Sequence, residues 1–188
     1  ARENIDCIIS ENTLAACELQ LTAMPRREEI LSMRMRHIDE KKPYDFVLMD
    51  CSPSLSLLNQ NALLYADEIL IPISMDYLAM MGATQVIDNL AMIKQYYEKQ
   101  LHIAGFIPTM YEKRTNMSQD IMEALEQTYQ KKVMPPVRID TKVKQASAAQ
   151  QTIIEFAPDS RAAEDYQKIC EVLLNGKGAE KYTETQCG

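Results

Sequence analysis

Residues 44–55 read YDFVLMDCSPSL, an apolar run that ends on an acidic residue and then meets a proline-containing turn. The stretch 44–50 carries apolar side chains on both faces, the pattern of a strand covered from both sides. Asp50 closes it. An ionised carboxylate at the end of a buried strand is costly unless hydrogen bonds, a cation or a metal compensate it. Three roles fit. Asp50 caps the helix that follows, with Ser52 and Ser54 as alternative acceptors; or it is a nucleophilic carboxylate, although the second acid expected two positions on is here Ser52; or it holds Mg²⁺ through a water, which a single carboxylate does when nucleotide phosphates supply the remaining ligands.

The 188 residues are enough for one good core, and at 46% hydrophobic and 25% charged the composition is that of a globular protein. A net charge of −7 argues against a surface coated in positive charge, so any nucleic-acid contact has to come from a local patch. Cys7, Cys17, Cys51, Cys170 and Cys187 are scattered, odd in number and without a C-x-x-C pair. They suggest free thiols in a reducing compartment, and neither a disulfide framework nor a zinc site. No apolar run approaches the ~18 residues of a membrane span, and the first residues lack the layout of a signal peptide. The expected location is the cytoplasm. The glycines are Gly82, Gly105, Gly176, Gly178 and Gly188, so nothing before residue 82 forms a glycine-rich phosphate loop.

Working outward from 44–50, three further apolar runs read as strands: 5–10, 68–74 and 101–110. Helical patterns lie between and after them, at 12–24, 27–41, 55–65, 77–98 and 115–130, the last with Asn116 or Ser118 as N-cap. KKVMPPVRI (131–139) adds a short strand made irregular by Pro135 and Pro136. Residues 159–174 form a closing amphipathic helix, capped by Asp159 or Ser160, with Ala163, Tyr166, Ile169, Cys170 and Leu173 on one face. Strands apolar on both faces and separated by helices predict an α/β fold, a mostly parallel sheet with helices on both faces. One domain is expected over 1–174, followed by a polar, frayed tail at 175–188. Ligands of such sheets gather at the carboxyl ends of the strands. Asp50, Ser74, Asp76, the segment 109–115 and the loop after Val137 all fall there.

The flanking text narrows the choice. DCSPSL (50–55), IPISMDYLAMMG (71–82), TMYEKRTN (109–116) and RIDTKVKQA (138–146) follow one another in the chain. In that order they resemble the motifs of the ParA family of partition ATPases, relatives of MinD among the deviant phosphate-loop NTPases. Asp50, Pro53 and Ser54 match the family's D-x-P-P-S-L motif, from which Ser52 departs. Ile71, Pro72, Asp76, Tyr77, Ala79 and Gly82 match a second motif. Thr109, Met110, Tyr111, Glu112, Arg114, Thr115 and Asn116 match a third. Arg138, Asp140, Lys142, Val143, Gln145 and Ala146 match the closing one. The resemblance covers about 4–174, yet the family's opening K-G-G-x-G-K-(T/S) loop and its D-x-D-P-Q motif are absent from these residues. The chain thus looks like the carboxyl-terminal two-thirds of such a protein, with the amino-terminal phosphate-loop segment missing.

The resemblance implies ATP hydrolysis coupled to dimerisation and to plasmid or chromosome segregation, with ATP or ADP and Mg²⁺ as cofactors. It also implies a ParB-like partner that stimulates hydrolysis. Asp50 would steady Mg²⁺ through water, and Ser54 would belong to a switch that senses the γ-phosphate. Thr109, Met110, Val137, Arg138 and Asp140 would border the base, although Arg138 and Asp140 also read as a local salt bridge closing a loop. Lys113, Arg114, Lys131, Lys132, Lys142 and Lys144 are the notable basic residues. They would contact DNA phosphates without reading sequence, or form a solvated face. Asp76 and Gly82 read as shaping the entry to the helix at 77–98. The methionines read as core filler, and His37 and His102 as isolated residues without metal spacing. The competing class is a non-enzymatic scaffold of the same fold.

Overall fold

The computed structural model describes residues 5–11, 13–42, 44–52 and 56–183, without the side chains of residues 15 and 176–183. It divides into two compact units, Ala1–Asp67 with Asn89–Leu101, and Glu68–Asp88 with His102–Gly188.

The second unit holds the sheet. β1 (Glu68–Ser74) pairs in parallel with β2 (His102–Thr109), Ile71 opposite Phe106 and Ser74 opposite Thr109. A parallel pair needs a long crossover, and the segment between the strands carries α4 (Tyr77–Tyr97). Bridges from Phe106 to Val133 and from Tyr111 to Arg138 continue the sheet beyond β2. Pro135 and Pro136 interrupt that third run because neither has an N–H to donate. The register between β1 and β2 slips after Ile69, so that Gly105 faces Leu70. The approach is close: a Cβ at Gly105 would lie 2.5 Å from the terminal methyl of Met134, so a larger residue there would make the flexible Met134 side chain move. Met134, Val137 and Ile169 form one core cluster, flanked by Leu70, Ile107 and Leu173, and Phe106 stacks on Tyr129 with centroids 3.9 Å apart.

α5 (Asn116–Tyr129) buries Ser118, Ile121 and Leu125 along one stripe. Its N-cap position is Thr115 and not Asn116 or Ser118, and no side chain caps it. The Ser118 hydroxyl instead accepts from Thr115 Oγ1 at 2.9 Å. Two short helices went unread in the sequence, α6 (Thr141–Ala148) and α7 (Ile153–Phe156). Both are announced by their caps, Asp140 before α6 and the Thr152/Glu155 capping box before α7. α8 (Arg161–Thr183) begins behind Ser160, whose Oγ accepts from Ala163 N–H at 3.2 Å. It continues nine residues past position 174, where the sequence reading placed a tail. Its buried face is Ala162, Ala163, Asp165 and Ile169, while Tyr166 and Cys170 are exposed. The helix is therefore rotated from the expected face.

The first unit is built on α1 (Leu14–Thr22), α2 (Ile30–Lys41) and α3 (Leu57–Tyr65), with a 3-10 turn at Arg27–Glu29. The buried Asn61 of α3 ties that helix to α2 and to the turn. Its Oδ1 accepts from Leu31 N–H, and its Nδ2 donates to the carbonyls of Arg27 and Leu57 at 2.8 and 2.9 Å. The amide is thus fully used, as a buried amide must be.

Residues 6–10 and 44–50 depart from expectation. Neither run forms a strand, and Ile5 makes only an isolated bridge. Ile8, Ile9 and Leu48 are 80%, 82% and 85% exposed. The runs are tied to each other where Asp6 accepts from Lys42 Nζ at 2.5 Å and from Tyr44 OH at 2.6 Å. The reason is physical: a strand exists only through its ladder, and no described segment offers these runs one. Among the described residues no helix is long and apolar enough to cross a membrane.

Candidate nucleotide site

The carboxyl ends of β1 and β2 and the run 137–140 form one edge of the second unit. Val137 donates to the carbonyl of Pro108 at 2.8 Å, Tyr111 to that of Val137 at 3.0 Å and Ile139 to that of Tyr111 at 3.1 Å. Thr109, Met110, Val137, Arg138 and Asp140, all expected at the base, are thereby brought together. Met110 has φ 55 and is 60% exposed. A left-handed conformation strains a residue with a Cβ, and here it displays an apolar side chain to solvent.

The two charged members of the set are engaged inside the protein. Arg138 forks onto Asp165, with Nε to Oδ2 at 2.8 Å and Nη2 to Oδ1 at 2.7 Å, and reaches Glu164 at 2.7 Å. These carboxylates push the guanidinium's pKa further up. Asp140 accepts from Lys142 N–H at 3.0 Å and from Ala162 N–H at 3.4 Å. The Lys142 bond leads the causes that hold its carboxyl below the usual range. The local salt bridge expected between Arg138 and Asp140 does not form: Arg138 pairs with Asp165 and Glu164 on α8, and Asp140 caps α6. What remains open to a ligand at this edge includes Met110 and Ile139, which is 45% exposed. Ile139, Glu164 and Asp165 were missed from the sequence. A signal existed for Asp165: it lies three residues after Ala162 and four before Ile169, an acid on the apolar stripe of α8.

Asp76 also serves a helix. It accepts from Ser74 Oγ and, at 2.8 Å, from Ala79 N–H, in that order depressing its pKa, so it caps α4 as expected.

In the first unit Asp50 is exposed, and among the described residues its carboxylate has no hydrogen-bond or ion-pair partner. It is not the helix cap: α3 is capped by Ser56, whose Oγ accepts from Asn59 N–H at 3.2 Å. Burial, and then the charge of Asp50, push the Cys51 thiol up, which keeps that sulfur protonated. Ser54 lies outside the described residues.

The six basic residues are all exposed, and none has a carboxylate within 4.0 Å among the described residues. They do not make one patch. Lys113 and Arg114 precede α5 while Lys131 and Lys132 follow it, and a helix of that length separates its ends by roughly 20 Å. Lys142 and Lys144 stand on α6.

Comparison with known proteins places this geometry. The chain is 32% identical over 176 residues to the sporulation initiation inhibitor protein Soj of Bacillus subtilis, covering 93% of this chain and 69% of that protein. It belongs to the ParA family of phosphate-loop ATPases. The chromosome partitioning protein ParA of Myxococcus xanthus is 29% identical over 162 residues, 86% of this chain and 56% of that one. Residues 1–103 match an AAA domain family model, and residues 56–184 match the 4Fe-4S iron sulfur cluster binding proteins of the NifH/frxC family. The second match concerns the fold: a [4Fe–4S] cluster takes four thiolates, and Cys170 is the one cysteine between residues 56 and 184. Cobyrinic acid a,c-diamide synthase from Mycobacterium smegmatis, solved with bound ADP and magnesium, superposes with TM-score 0.70 at 24% identity. It is covered over 89% of this chain and 61% of that one, and shares the fold. This ParA-family chain thus spans between about half and two-thirds of the length of these relatives.

Proposed function

We propose that the complete protein is a partition ATPase that binds Mg²⁺–ATP, dimerises in the ATP state, docks on DNA without reading its sequence and answers to a ParB-like partner. The observation that carries this is the prearranged edge 109–110/137–140 in a chain of the ParA family. A base-binding edge that is rigid before the ligand arrives binds more tightly, and the backbone bonds of Val137, Arg138 and Ile139 supply that rigidity. The ADP and magnesium bound to the synthase of the same fold support a nucleotide here. Asp50 is the magnesium-side carboxylate and Ser54 part of the γ-phosphate switch. Thr109, Met110 and Val137 border the base, with the backbone at Arg138 and Asp140. The site of action is the cytoplasm.

Asp50→Ala tests the metal half. Without nucleotide the thermal midpoint should stay within about a degree, since Ser56 holds the cap. Loss of a true cap would cost ~1 kcal/mol and lower the midpoint by about 2–4 °C. In the complete protein the same substitution should weaken Mg²⁺-dependent ATP binding at least about tenfold. A lowered midpoint with unchanged ATP affinity would make Asp50 structural.

For DNA, Lys142→Glu with Lys144→Glu should weaken binding to unrelated duplexes alike. The slope of log K against log salt should flatten by about one to two units, in proportion to the phosphates no longer neutralised. Loss confined to one DNA sequence would contradict backbone docking. A second reading, a scaffold without catalysis, applies to these 188 residues taken alone, because no glycine precedes Gly82.

A further inference from the structure

We propose that Asp165 is a positioning residue for the nucleotide base, setting the run 137–140 so that Ile139 and Met110 lie against the base face. This rests on the nucleotide reading above and assigns a role to α8 within it.

The backbone of 137–140 is held from two sides. Val137 and Ile139 bond to the extension of β2, through Pro108 and Tyr111. Arg138 turns the other way: its N–H donates to Asp165 Oδ2 at 3.0 Å, and the same oxygen accepts from Arg138 Nε at 2.8 Å. The second oxygen of Asp165 takes Arg138 Nη2 at 2.7 Å. One carboxylate therefore fixes both the main chain and the side chain of a single residue. Asp140, held to Ala162 N–H, extends the tether to the first turn of α8.

Packing alone would not select this carboxylate. Asp165 is 3% exposed, on a stripe with Ala162 and Ile169 at 0% and 5%. An apolar residue there would bury more simply, because a buried ion pair seldom outperforms good apolar packing. The pair does what a leucine could not: it specifies the direction of the Arg138 N–H. Between fixed neighbours, Ile139 is left 45% exposed, and its N–H bonds to the residue after the strained, exposed Met110. Two apolar side chains held outward on a rigid edge suit the flat, apolar face of a purine. The phosphates have no part in this contact.

That separation gives the test. In the complete protein, affinities for Mg²⁺–ATP and for Mg²⁺–tripolyphosphate are measured separately for wild type and Asp165→Asn. The asparagine keeps the volume but removes the charge and turns an amide donor toward the guanidinium. ATP affinity should fall about tenfold, the scale of a charge-assisted hydrogen bond lost, with tripolyphosphate affinity unchanged within about twofold. A purely structural Asp165 would weaken both ligands together or neither, and either result overturns the proposal. If Asp165→Asn does not fold, Arg138→Lys decides. It keeps the charge and the backbone bond to Asp165 but loses the fork, so the same split should appear at about threefold; equal changes for both ligands, or none, overturn the proposal. Wild type that binds neither ligand overturns the nucleotide reading itself. Wild type that binds ATP, beside an Asp165→Asn protein with the same ATP preference, overturns the positioning role alone.

Discussion

Purified on its own, this 188-residue chain is expected to release phosphate from Mg²⁺–ATP no faster than a protein-free blank. In phosphoryl transfer the protein supplies position and charge. Backbone N–H groups and a lysine of the phosphate loop neutralise the β- and γ-phosphates as charge builds on them. Successive N–H groups converge on a phosphate only where the chain turns tightly, which is where glycine is needed, and residues 1–81 contain none. Asp50, exposed and without a cation beside it in the described structure, would face the phosphates with its own negative charge. Removing a single oxyanion donor from an enzyme costs about 10²–10³ in rate, so residues 1–81, without a glycine to build such a cradle, are expected to support no measurable turnover. Supplying an upstream segment with the phosphate loop of a ParA relative should raise Mg²⁺-dependent turnover by at least about 10³-fold over the chain alone. Turnover by the isolated chain that survives purification and disappears in Asp50→Ala would reveal a phosphate site elsewhere in these residues.

The parts legible in the sequence are those whose signals are local. β1 and β2 were readable because an apolar run of strand length, bounded by turns, has few other fates, and α3 and α4 because their helical stretches stand between turns, although the cap of α3 is Ser56 and not Asp50, Ser52 or Ser54. Asp140 was singled out by the resemblance, as a base contact or as the partner of Arg138 in a loop-closing salt bridge, and the helix cap it forms was not among those readings. Only the partner, Lys142 N–H at 3.0 Å, reveals the cap. Arg138 was expected to border the base or to pair with Asp140, yet its partner lies 27 residues away on α8, and pairing at that distance leaves no trace in local pattern. The face of α8 was misjudged for a related reason. Tyr166 and Cys170 look like core residues and Asp165 does not, while the Arg138 pair makes Asp165 the buried one. The basic residues were grouped by composition, and the length of α5 separates them.

The strongest disagreement, over 5–10 and 44–50, leads to the second large effect. Adjacent residues of an extended run point to opposite sides, and Ile8 and Ile9 are both more than four-fifths exposed, at 80% and 82%. Both faces of that run are therefore uncovered, and in its companion the neighbours Val47 and Leu48 are exposed at 39% and 85%. Covering Ile8, Ile9 and Leu48 alone is worth roughly 4–9 kcal/mol, at about 1.5–3 kcal/mol for each side chain buried. For a chain of this size each kcal/mol moves the thermal midpoint by about 2–4 °C. An upstream segment that pairs with these runs should then raise the midpoint by more than about 10 °C in the absence of nucleotide. It should also abolish a strong, blue-shifted fluorescence of the dye ANS on the isolated chain, since soluble monomers rarely leave such apolar surface open. Ile9→Lys with Leu48→Lys separates the causes. The pair should reduce dye binding by the isolated chain without destabilising it, because exposed side chains contribute little to its folding, while in the longer protein the same two charges should be strongly destabilising. Equal stability of the long and short proteins would mean that the upstream segment packs elsewhere. The two runs would then be surface in the native protein, and Asp50 would stand on an uncovered edge instead of at the end of a buried strand.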